Sequence, residues 1–306
     1  MERRKFIKNA ILSTGLLAIP SIRMSGHEAA KRSAPAVHAS NHKYRKSIMW
    51  GTVGLEGSVL EKCQAIKAAG FDGIEPNSHM DRQEVLDAMK KTGLIASSVC
   101  CSTHWEKLLS SPDASVRQEG VDGMIVALED AKAYGTDAVL LVPGRVDDSV
   151  SYDECWHRST ESIKKLVPHA ERLKVKICIE NVWNNFLLSP LEACRYVDQF
   201  NSSYVGFYFD CGNILVYGWP EQWIKILGDR VIRIHIKEFS RKIADSEGRW
   251  KGFGAKLTEG DVDWKNVMKS ARSTYNGGWF TTEQGSSKTL EELTDLHTRL
   301  DQVLNM

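Results

Sequence analysis

Eight short apolar runs recur along this chain, and most are followed by a longer stretch with helical spacing. The runs are Ser47–Val53, Gly73–Glu75, Ile95–Cys100, Ala138–Val142, Lys176–Ile179, Val205–Phe209, Val231–Ile236 and Trp279–Thr282. Most are continuously apolar rather than alternating, the pattern of parallel strands covered by helices. Between them lie segments such as Ile163, Leu166, Val167, Ala170 and Leu173, at offsets of three and four. Pro168 falls inside that segment and predicts a kink. Gly70, Gly93, Gly135 and Gly228 each stand just before a run, where a helix end favours a left-handed residue. Such alternation argues for a parallel α/β sheet. Eight units closing on themselves take about 250 residues, and 261 lie from Lys46 to Met306. The expected fold is α/β, a single (β/α)8 TIM barrel over residues 46–306. An open doubly wound sheet would want a glycine-rich phosphate loop after its first strand, and Gly51-Thr52-Val53-Gly54 is a poor match.

The chain opens Glu2-Arg3-Arg4-Lys5-Phe6-Ile7-Lys8, runs uncharged from Ala10 to Ile19, and then reaches Pro20 and small residues. A basic stretch, a short apolar core and small residues make a secretory signal. Paired arginines before Phe, an aliphatic residue and Lys resemble the twin-arginine export motif, a receptor-read address. Residues 1–39 therefore read as an export signal and linker, with cleavage after Ala39 as one reading. The twin-arginine export machinery is the expected partner, and the destination periplasmic or extracellular. Proteins fold before that route, which lets a metal be chosen inside the cell against an affinity order favouring copper and zinc. No run approaches the ~20 apolar residues of a membrane span. Beyond residue 39 the chain has 33 basic and 37 acidic residues, the wrong balance for holding a nucleic acid by counterion release. Seven cysteines without a C-x-x-C pair argue against a disulfide framework and a zinc finger.

Active sites of such barrels lie where strands end. Those ends read Ile179-Glu180-Asn181, Phe209-Asp210-Cys211-Gly212-Asn213, His235-Ile236-Lys237-Glu238 and Thr282-Glu283-Gln284-Gly285. One carboxylate after a strand is usually a helix cap. Three converging carboxylates would repel one another unless a cation sat between them. Glu180, Asp210, His235 and Glu283 are thus the expected ligands of a hard or borderline divalent metal: manganese first, then magnesium, cobalt or zinc.

Together with Glu259-Gly260-Asp261-Val262-Asp263-Trp264, these motifs make the chain resemble the xylose isomerase-like barrel superfamily. That group includes sugar epimerases and isomerases, inosose dehydratase and an endonuclease. The resemblance covers essentially everything after residue 45. It implies a metal-dependent sugar isomerase or epimerase working through a metal-stabilised enediolate, with Glu180 and Glu283 also moving protons. The chemistry asks for this arrangement: a Lewis acid for the developing charge and a carboxylate on each face of the intermediate. Two departures stand out. Epimerases of the family carry a substrate-binding histidine where this chain has Asn213, and a second glutamate where it has Phe186. A family arginine is present as Arg241. The departures keep a keto-sugar lyase or hydratase open as an alternative, as does a non-catalytic carbohydrate-binding barrel. Export favours unphosphorylated sugars. A homo-oligomer is left open.

Further rim candidates follow. Glu75 would bind sugar hydroxyls or cap a helix. His104, beside Trp105, would bind sugar or transfer a proton, or simply pack a loop. Lys237 shares the parity of His235, so it would stabilise an oxyanion or pair with a carboxylate. Trp183, Trp219 and Trp250 would stack on sugar rings or cover the rim. The stretch Trp250-Lys251-Gly252-Phe253-Gly254 reads as a mobile flap. His157, His169 and His297 sit on helical patterns and read as structural or solvated.

Overall fold

The computed structural model describes residues 44–306, so the expected export segment lies outside the described residues. Nine parallel strands are present: β1 (Arg45–Met49), β2 (Gly73–Glu75), β3 (Ile95–Ala96), β4 (Val99–Cys100), β5 (Ala138–Leu141), β6 (Lys176–Glu180), β7 (Val205–Asp210), β8 (Val231–Ile236) and β9 (Trp279–Thr282). They pair in the order β3-β2-β1-β9-β8-β7-β6-β5-β4. The two end strands are halves of one stave, the expected run Ile95–Cys100, interrupted at Ser97-Ser98. Its lower half pairs with β2 and its upper half with β5, so eight staves form a nearly closed barrel. This is the expected (β/α)8 architecture.

Helices follow the staves: α1 (Val59–Ala68), α2 (Arg82–Thr92), α3 (Ala114–Tyr134), α4 (Tyr152–Leu173), α5 (Pro190–Asp198), α6 (Cys211–Ile214), α7 (Pro220–Leu227), α8 (Arg241–Glu247), α9 (Trp264–Thr274) and α10 (Leu290–Leu304). Local chemistry sets their ends. Ser58 and Glu61 form a capping box at α1, which satisfies amide donors that have no partner inside the helix. Gly135 closes α3 at φ 75°, a conformation that side chains with a Cβ rarely adopt. Pro168 does not end α4. It lies on the exposed face, where water can satisfy the carbonyl that loses its amide partner.

The alternation of side chains along each strand divides the interior into two cores. Outward residues such as Ile177, Ile179, Phe207, Phe209, Ile234 and Ile236 join the main cluster against the helices. Inward residues Cys100, Ala138, Leu140, Cys178 and Tyr208 form a separate plug inside the barrel. Above the plug, the same inward parity carries β6 to Glu180, β7 to Asp210, β8 to His235 and the end of β9 to Glu283. Among the described residues no helix is long and apolar enough to cross a membrane.

Candidate active site

Four consecutive staves bring Glu180, Asp210, His235 and Glu283 together. One ligand atom from each lies within 4.8 Å of all the others. His235 Nδ1 is 3.0 Å from Glu283 Oε2, 3.2 Å from Glu180 Oε1 and 4.0 Å from Asp210 Oδ2. Registry explains the meeting: Asp210 pairs level with His235, and Ile236 with Thr282, so Glu283 emerges just above the imidazole. Asp210 is held from behind. Its Oδ1 accepts the Asn213 amide at 2.6 Å, and its backbone exchanges two hydrogen bonds with the Asn181 side chain. Its Oδ2 is buried with no hydrogen-bond partner.

Without a metal, the crowded carboxylates of this cluster are offset by Lys237, by His235 and by bound protons. Burial pushes Asp210 well above the ordinary carboxylate range, with Glu283 and Glu180 adding to it. Burial likewise lifts Glu180 to about 7. Burial also opposes the charge on Glu283, but Lys237 and His235 outweigh it and hold this carboxyl low. His235 is lifted well above its ordinary value because Glu75, Glu180 and Glu283 outweigh its burial. Nδ1 faces three carboxylate oxygens, so a proton or a metal must stand there. An orphaned buried oxygen, two further carboxylates and an imidazole are a donor set that fits a divalent metal.

A pocket of about 360 Å³ opens on this cluster, a size suited to a small ligand. His104, Asn213, Lys237 and Trp183 line it with Glu180 and Glu283. His104 Nδ1 accepts the Val142 amide, so the ring proton sits on Nε2. Burial drops its pKa to about 4, which leaves it a neutral imidazole. Lys237 donates to Glu283 Oε1 at 2.7 Å and lies 3.9 Å from Asp210 Oδ2. Trp183 donates its indole N–H to the Asn213 carbonyl and packs against Trp250 and Phe253.

Other residues fall elsewhere than expected. Glu75 is fully buried and bonded to His235, Ser98 and Tyr208. It neither lines the pocket nor caps a helix, because inward parity on β2 points it into the barrel. Arg241 also stands off the pocket: it is exposed at the start of α8, with Nε donating to the Leu215 carbonyl. Phe186 belongs to the outer core with Tyr152, Trp156 and Tyr196. Trp219 is exposed ahead of α7 and is not in the pocket wall. The stretch Trp250–Gly254 lies in a 3-10 helix over Arg249–Gly254 after α8, and its Trp250 and Phe253 line the pocket.

Sequence reasoning missed what ties that segment down. Glu238 is buried and accepts the amides of Phe239, Thr258 and Val262 and the indole N–H of Trp264. Gln284 accepts the Glu238 amide and donates to the carbonyls of Phe253 and Ala255. The motif around residues 259–264 is thus wrapped on one carboxylate. The signal was present in the sequence, as an acidic residue directly following the Ile236-Lys237 strand end.

Residues 63–301 match the family described as xylose isomerase-like TIM barrel. The chain belongs to that family. Among its curated relatives is the L-ribulose-5-phosphate 3-epimerase of Escherichia coli O1:K1, 26% identical over 243 residues, covering 74% of this chain and 82% of the relative. The same enzyme from Escherichia coli K12 is 25% identical over the same lengths. Similar solved structures include the 3-keto-D-glucoside 4-epimerase of E. coli, at TM-score 0.72 and 16% identity, covering 86% of this chain and all of that one. The D-psicose 3-epimerase of Clostridium cellulolyticum H10 gives a TM-score of 0.70 at 16% identity, with 85% and 99% covered. The solved structures bear on the fold alone. The chain is an enzyme of the isomerase/epimerase type.

Proposed function

We propose that this xylose isomerase-like barrel is a metal-dependent isomerase or epimerase of a keto-sugar. The observation that carries the reading is the convergence of four donors around a buried Asp210 oxygen that accepts no hydrogen bond. Glu180, Asp210, His235 and Glu283 would hold one divalent cation, manganese or else magnesium, cobalt or zinc. Such an ion, when bound, supplies Lewis-acid stabilisation for the charge that develops at a carbonyl as the neighbouring carbon loses its proton. Glu180, which lines the pocket, is placed to accept that carbon-bound proton at a carboxylate oxygen. Glu283 returns one from the other face, and Lys237 holds it in place from Oε1. His104, neutral and carrying its proton on Nε2, orients a substrate oxygen.

The pocket wall also favours a class of sugar. Among the described residues Lys237 is the only Lys or Arg in the lining and is already engaged by Glu283, while Trp105, Trp183, Trp250 and Phe253 supply apolar faces. An unphosphorylated sugar suits this wall better than the phosphate that the curated relatives' name carries. The twin-arginine pattern at Arg3-Arg4 supports export to the periplasm or beyond; Arg3→Lys with Arg4→Lys should then retain the protein in the cytoplasm on fractionation.

The test is proton NMR of unphosphorylated keto-sugars in deuterated water with the metal-loaded enzyme. Incorporation of deuterium beside the carbonyl with the carbon skeleton kept is expected, and Glu180→Gln and Glu283→Gln should each lower it by about 100-fold or more. Loss of water or of an aglycone would instead place the enzyme among lyases. No exchange with any keto-sugar, phosphorylated or not, would end the proposal.

A further inference from the structure

Behind the proposed metal ligands lies a further buried carboxylate that the reaction as described does not use. Glu75 has no solvent exposure. Its Oε1 lies 3.2 Å from His235 Nε2, and its Oε2 accepts the hydroxyls of Ser98 and Tyr208. The Ser98 and Tyr208 hydroxyls are themselves within 3.1 Å of each other. These groups come from three places: β2, the break between β3 and β4, and β7. A carboxylate buried this deeply persists only when donors surround it, and here hydroxyls hold one oxygen while the imidazole meets the other.

We infer that Glu75 is a positioning residue that fixes the tautomer of His235. An imidazole has one proton to place when neutral. With Nε2–H donated to Glu75, the lone pair falls on Nδ1, the atom that faces Glu180, Asp210 and Glu283. Without Glu75, that proton would have no acceptor at Nε2 and would shift to Nδ1, the position the cation needs. A carboxylate behind the imidazole also raises its basicity as a ligand and locks its ring plane. Ser98 and Tyr208 in turn keep the carboxylate aimed.

This inference rests on the metal reading above, and the experiment separates the two. The full chain, stripped of metal, is titrated with Mn²⁺ and free ion is followed by electron paramagnetic resonance, for the wild type, Glu75→Gln and Tyr208→Phe. In parallel, histidine-¹⁵N-labelled wild type loaded with Mg²⁺ is read by NMR for the proton on His235. The wild type should bind one ion and carry the proton on Nε2. Glu75→Gln should bind Mn²⁺ about 10- to 100-fold more weakly. Tyr208→Phe, which keeps the His235–Glu75 bond, should lose less. Wild-type affinity in Glu75→Gln, or a His235 proton on Nδ1 in the loaded wild type, overturns the inference. The tautomer decides alone if Glu75→Gln does not fold. Absence of any bound ion in the wild type would overturn the metal reading, and this inference with it.

Discussion

Of the four candidate ligands, Asp210 is the one with a buried side-chain oxygen that has no hydrogen-bond partner. Its side chain is wholly buried, one oxygen is anchored by the Asn213 amide, and the other has no hydrogen-bond partner, with Lys237 3.9 Å away. Burial drives its carboxyl toward the neutral form, so in the metal-free protein this group opposes folding whenever it is charged. Asp210→Asn should therefore leave the metal-free protein as stable as the wild type or more so in thermal unfolding. It should also abolish stabilisation by added Mn²⁺. The wild type should gain about 2.7 kcal/mol at a metal concentration 100 times Kd. A variant that still gained this stabilisation would mean the ion binds elsewhere. At this scale the site was largely legible, because Glu180, Asp210, His235 and Glu283 each follow an apolar run at a strand end. Glu75 was legible as a strand-end acid but not as the partner of His235. Nothing in a three-residue strand announces which of the distant strands its side chain will meet.

Among the elements, most strands could be read in place: β2, β8 and β9 keep the expected bounds, since each is a short buried run between clear stops. Two features escaped. The third stave is split at Ser97-Ser98, and β8 takes up an extra residue, Ile232, which has no partner on β7 between Phe207 and Tyr208. A run such as Val231–Ile236 looks unbroken because a bulge changes pairing rather than composition. Yet that bulge sets the parity that turns Arg233, His235 and Lys237 inward. The segment from α8 to α9 is the other element whose character came only from structure. A Cβ at Gly260 would stand 2.4 Å from Glu238 Oε1 and 2.5 Å from the Phe239 carbonyl, so the turn and the carboxylate cannot both keep their places. Gly260→Ala, or Glu238→Ala with its four lost acceptor contacts, should make residues 239–264 more open to proteolysis. Either should raise KM for the sugar more than it lowers kcat, because Trp250 and Phe253 on this segment wall the pocket. Unchanged proteolysis and KM in both variants would show that the Glu238 hub does not hold the segment.

Taken as a whole, the molecule keeps two interiors that do different work. The outer core between sheet and helices carries the bulk of the apolar burial and explains why the barrel was readable from the spacing of apolar runs. The inner column is short on hydrophobic residues and rich in polar ones: Arg233 pairs with Asp137 toward the strand starts, Cys178, Leu140 and Tyr208 plug the middle, and the four candidate ligands crown the top. Its contents depend on which residues share a level across neighbouring strands, and that is a property of register which composition does not encode. Binding of one cation at that crown is tested most directly by anomalous diffraction from Mn²⁺-soaked crystals of the protein. A single peak about 2.1 Å from oxygens of Glu180, Asp210 and Glu283 and from His235 Nδ1 is the result expected. A peak at another site, coordination through His235 Nε2, or no peak among these four residues would contradict it.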